Sequence, residues 1–189
     1  MTTLMALWLP ILVSAVLVFI VSSVIHMVLP WHRSDYPKLP NEDQARAALR
    51  GLKLAPGDYM MPRAMSSKDM NTPEFQNKMK EGPVAVITVM PNGPTALGNK
   101  LFMWFIYSIV VSVFAAYVAG RSLPPGAEYM AVFRLTSIVS FVGYALALWQ
   151  MTIWYGRGVA LTVRSTIDGL VYALATAGAF GWLWPEAVG

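Results

Sequence analysis

From Leu4 to Leu29 the sequence runs without a single Asp, Glu, Lys or Arg. Nothing else in the chain constrains its fold as strongly. About 20 apolar residues at 1.5 Å rise cross a hydrocarbon core of roughly 30 Å, and inside lipid a lone segment satisfies its backbone groups only as a helix. Residues 1–29 are therefore read as a first transmembrane helix. A cleaved leader fits poorly: the start carries no Lys or Arg, the apolar stretch is too long, and no small-x-small site ends it cleanly.

The charges then divide the rest of the chain. Of the 24 Lys, Arg, Asp and Glu residues, 17 lie between Arg33 and Lys100. A second apolar run covers about residues 101–120 and stops at Gly120-Arg121-Ser122-Leu123-Pro124-Pro125-Gly126, where two prolines and two glycines break any helix. A third covers about 129–154. A fourth covers about 165–185, with residues 158–168 as its amphipathic approach. The expected fold is an all-α membrane protein with four transmembrane helices and a small mixed helix and strand insert, residues 30–98, between helices 1 and 2. Charged residues make up only 13% of the chain, against roughly 25% in a soluble domain, which excludes an ordinary globular protein. The absence of cysteine excludes disulfides, thiolate metal sites, a cysteine nucleophile and cysteine-held iron–sulfur clusters.

Four spans would put both termini on one side. Arg33, Lys38, Lys100, Arg157 and Arg164 gather on one face of the bilayer and Arg121 on the other, so the positive-inside rule makes the insert cytoplasmic and the termini external. The expected location is a bacterial-type inner membrane.

Within the insert, Asn41-Glu42-Asp43-Gln44 opens a helix that ends near Gly51, and Thr72-Pro73-Glu74 opens another that Gly82-Pro83 closes. The β-branched run Val84–Met90 is a strand. Its partner is either the Leu54–Met61 segment or a strand added by another subunit. An insert this small cannot bury a core alone and must lean on something else. Its motifs His32-Arg33-Ser34-Asp35-Tyr36, Ala55-Pro56-Gly57-Asp58-Tyr59-Met60 and Gly82-Pro83-Val84 through Gly93-Pro94 resemble those of a group of uncharacterised bacterial inner-membrane proteins of similar length. The resemblance implies the location and no activity.

Candidate functional residues are few. Arg134 lies about five residues inside the third span, where an unpaired guanidinium is costly; it is read as an anion or subunit contact, or as snorkelling to the interface near Glu128. Arg164 and Asp168 stand i to i+4 on a helix and are expected to pair. His26 and His32 flank the end of the first span, without an adjacent third ligand for zinc. Arg33 and Asp35 complete the boundary motif, in which Ser34 also sits, but adjacency of His, Ser and Asp is not triad geometry. Met60, Met61, Met65 and Met70 supply soft thioethers that suit Cu(I) or simply anchor the loop. No catalytic, cofactor or metal residue is assigned on this basis.

Small residues recur every fourth position: Ser108, Ser112, Ala116 and Gly120 on the second span, and Gly169, Ala173, Ala177 and Gly181 on the fourth. Such ridges allow helices to approach closely in lipid, either within the chain or between chains. The expected role is a non-catalytic subunit or scaffold of a membrane assembly, with lipid and other membrane subunits or further copies as partners and no nucleic acid. The alternative is an oligomeric transporter or channel lined by Arg134 and polar residues of helices 2 and 3. A membrane enzyme or copper-handling protein comes third.

Overall fold

The computed structural model describes residues 1–94 and 96–187. They form two compact units, one of Met1–Tyr36 with Ala96–Gly189 and the other Pro37–Thr95.

The first unit is helical. Helix α1 spans Trp8–Ser23; a 3₁₀ turn, Leu4–Leu7, precedes it and a π-helical turn, Val24–Val28, follows, so the helical run is Leu4–Val28. Helix α5 spans Leu97–Ser122, α6 spans Tyr129–Tyr144, and a 3₁₀ turn at Leu146–Leu148 leads into the short α7, Trp149–Tyr155. Gly156 ends α7 in the left-handed conformation at φ 68°, which favours glycine at a helix C-terminus. Helix α8 spans Val159–Trp182 without a break, so the expected amphipathic approach and fourth apolar run are one helix.

Among the described residues, three helical runs are long and apolar enough to cross a membrane: Leu4–Val28, Leu97–Ser122 and Tyr129–Tyr155, with mean hydropathies of 2.8, 2.1 and 1.7. Helix α8, at 24 residues, has the length but not the hydropathy, because it carries Arg164 and Asp168 in its first half and many small residues beyond. Around the bundle each long helix touches two others: α1 packs on α5 and α8, and α6 packs on the same pair.

Small residues set the spacing. A methyl group at Gly169 would lie 2.7 Å from the Ala145 Cβ, and one at Gly181 would lie 2.6 Å from the Tyr129 ring. Ser108, Ser112, Ala116, Gly120, Gly169, Ala173 and Ala177 are all buried, and Gly181 is half-buried. Both ridges thus face inward and are used by packing within this chain. Two apolar clusters fill the interior. One, around Leu7, Val132 and Phe180, lies near the termini, and the other, around Val18, Val111, Tyr144 and Tyr172, lies toward the opposite end.

The second unit contains α2 (Glu42–Gly51), β1 (Gly57–Met61), α3 (Ser67–Met70), α4 (Pro73–Glu81) and β2 (Ala85–Val89). Strands β1 and β2 pair antiparallel with Tyr59 opposite Ile87, so the in-chain pairing expected for Val84–Met90 is the one formed. Thr72 caps α4 through the Phe75 amide as its sequence suggests. Asn41 precedes α2 but adopts a left-handed backbone at φ 52° and makes no side-chain cap. In this unit no described residue is buried.

Candidate functional site

At the end of the bundle remote from the termini, the chain leaves α1 through the π-helical turn that carries His26 and enters a 3₁₀ turn at Pro30–His32. The widened turn is visible as a hydrogen bond from the Leu29 amide to the Val24 carbonyl at 3.1 Å, an i to i−5 bond. Its consequence is local: Trp31, His32 and Asp35 fold back over the first half of α8. Five ionisable side chains, His26, His32, Asp35, Arg164 and Asp168, meet there with Ser34 and the Trp31 indole.

Asp35 is central. Its carboxylate accepts from His32 Nδ1 at 2.6 Å and from the Arg164 guanidinium at 2.5 Å, and its side chain is only 6% exposed. Arg164 also donates to Ser34 Oγ at 2.8 Å. Burial alone would raise the Asp35 pKa, but the hydrogen bonds and charge of His32 and Arg164 outweigh it and hold the carboxyl below its usual range. Asp35 is a carboxylate at neutral pH.

His32 faces Asp168 with its other ring nitrogen, Nε2, 2.8 Å from Oδ2. The contact is close but poorly aligned, so Nε2 is buried without a directed hydrogen bond. The second Asp168 oxygen accepts from the Trp31 indole at 3.1 Å. His26 stacks on His32 with ring centroids 4.3 Å apart, and its Nε2 lies 3.2 Å from the Tyr172 hydroxyl. Below, Tyr172, Trp104 and Tyr144 pack ring against ring at 5.6–6.0 Å and close the site from the bundle interior. Beside it a groove of about 790 Å³ runs along α1 and α8, walled by aliphatic residues such as Ile20, Val24 and Ile167 and reached by Trp31, Arg164 and Asp168.

The expected Arg164–Asp168 pair is not made. Arg164 pairs with Asp35 and Asp168 with His32, because the returning segment after α1 offers each a closer partner than the next turn of α8 does. His26, His32, Asp35, Arg164 and Asp168 are brought together, whereas Arg33 is exposed beside them. Arg134 is elsewhere, exposed on α6 and without an ion pair among the described residues. Among the polar residues of the second and third spans, Ser112 receives the Ser14 hydroxyl at 2.9 Å and Thr136 donates to the Val132 carbonyl at 2.8 Å, whereas Ser140 Oγ and the Tyr144 hydroxyl are buried without a hydrogen-bond partner among the described residues. Met60, Met61, Met65 and Met70 are all exposed, and the neighbours Met60 and Met61 point to opposite faces of β1.

Sequence reasoning missed Asp168 as the third group beside the two histidines. It lies on another helix, and no local spacing announces it. No known protein family, curated protein or solved structure matches the chain.

Proposed function

We propose that this chain is a four-span integral membrane protein of a bacterial-type inner membrane, with both termini outside and Pro37–Thr95 in the cytoplasm, acting as a non-catalytic subunit or scaffold. The observation that carries the reading is the second unit. It has a two-stranded sheet and three helices, yet not one of its described residues is buried. Two strands without a covered face are marginal alone in water, so a unit built this way gains its burial from a partner. Leu52, Val84, Val86 and Met90 stand exposed on it, and each strand keeps one free edge.

For the fourth span, the support is geometric. The N-terminal Thr2 amide bonds to the Gly120 carbonyl at 2.8 Å and the Gly126 amide to the Pro185 carbonyl at 2.7 Å, so both ends of the chain meet the α5–α6 turn. An even number of crossings follows if the bundle stands in the bilayer. Lys100, Arg157 and Arg164 belong to the other end, where they suit anionic cytoplasmic headgroups.

The test is gentle solubilisation of the full chain from its native membrane. Co-migration with another membrane subunit, reduced by Val86→Asp on the exposed face of the sheet, is the expected result. A clean monomer whose Pro37–Thr95 amides are already protected from exchange would sink the reading.

A further inference from the structure

We propose that His26, His32 and Asp168 hold a divalent transition-metal ion, by donor chemistry Zn²⁺, with its remaining position open toward the groove along α1 and α8.

Three ligand atoms, one from each residue, lie within 4.8 Å of one another. Ligands on a single tetrahedral zinc sit about 3.3 Å apart, so the widest pair must close by about 1.5 Å at most, while His32 Nε2 and Asp168 Oδ2, at 2.8 Å, must open slightly. His26, exposed and carried on the π-helical turn, is the residue that would move, and to do so its ring must leave the stack on His32 and the Tyr172 hydroxyl. Two imidazoles and one carboxylate are a donor set that suits zinc, and three protein ligands leave a fourth position for water or another ligand.

The surroundings have the form that metal ligands require. A ligating histidine ordinarily gives its other ring N–H to a carboxylate, which fixes the tautomer and raises the basicity of the free nitrogen. His32 does this: Nδ1 is bound to Asp35, which Arg164 holds in turn, and Nε2 is left facing Asp168 without an aligned hydrogen bond. Ligating carboxylates are themselves usually hydrogen-bonded. Asp168 takes the Trp31 indole on one oxygen and presents the other to His32.

The experiment uses the full chain in detergent micelles, stripped with chelator and titrated with ZnCl₂ by calorimetry, with Co²⁺ absorption as a report of coordination. One ion per chain is expected. Asp168→Asn keeps an acceptor for Trp31 but removes the charged ligand, and should weaken binding at least about 10-fold while helical content is unchanged. His26→Gln, at an exposed position, should do the same and keeps the test open if the Asp168 variant fails to fold. Folded wild-type protein that takes up no stoichiometric Zn²⁺ would overturn the proposal. So would binding that survives both variants, or binding lost only when Met60, Met61, Met65 and Met70 are replaced. The subunit reading stands apart from this one: a chain that binds Zn²⁺ but co-purifies with nothing defeats the former and not the latter.

Discussion

The two ends of the helical bundle are closed by different means. At the end that holds the termini, closure uses backbone groups and apolar side chains: Thr2 to Gly120, Gly126 to Pro185, and the Trp184 indole to the Pro124 carbonyl at 2.9 Å, over a core of Leu7, Val132 and Phe180. No ionisable side chain takes part in those contacts. At the other end Asp35, Arg164, His32 and Asp168 do the closing. Buried ion pairs lose much of their Coulomb attraction to desolvation, and apolar groups of the same shape hold a structure at least as well. The first end is closed without an ion pair among the described residues, so closing an end of this bundle does not in itself require one.

Substitutions can break that contrast in order of effect. Phe180→Ala should be the most damaging, at about 3–5 kcal/mol, because it opens a cavity in a fully buried cluster; unfolding in mixed micelles measures it, and a loss below about 1 kcal/mol would mean that the apolar end is not the structural one. Arg164→Ala should cost somewhat less, about 2–4 kcal/mol, since Arg164 is 29% exposed and Asp35 is left with His32 alone. The pair Asp35→Leu with Arg164→Met should recover most of that stability yet still weaken Zn²⁺ binding, which separates folding from function at this end. Trp31→Phe removes one hydrogen bond to a carboxylate and should cost about 1–2 kcal/mol. Arg134→Ala should change stability by no more than about 0.5 kcal/mol, as expected for an exposed side chain without a partner; a large loss of function there would instead revive the transporter reading.

Much of the scaffold was legible in sequence because the signals are local. Apolar runs marked the long helices, Thr72-Pro73 marked the start of α4, and the β-branched run marked β2. The small-residue ridges were legible too, although only three dimensions could tell that they face this chain's own helices. The site was half legible. His32 and Asp35 are three residues apart and were visible as a motif, but Asp35 and Arg164 are separated by 129 positions, and only the fold decides that Arg164 turns to Asp35 and not to Asp168. Proximity on one helix is a weak guide when a second segment competes for the same guanidinium.

The π-helical turn at Val24–Val28 makes the aim of this site a matter of counting. A turn closed by i to i−5 bonds holds one residue more than an α-helical turn. The same residues wound as a regular α-helix would rotate everything that follows by about 100°, the angle of one residue. Trp31 and His32 would then leave Asp168 with their chemistry intact and their direction lost. The number of residues in that turn, as much as their identity, sets which way the boundary segment points.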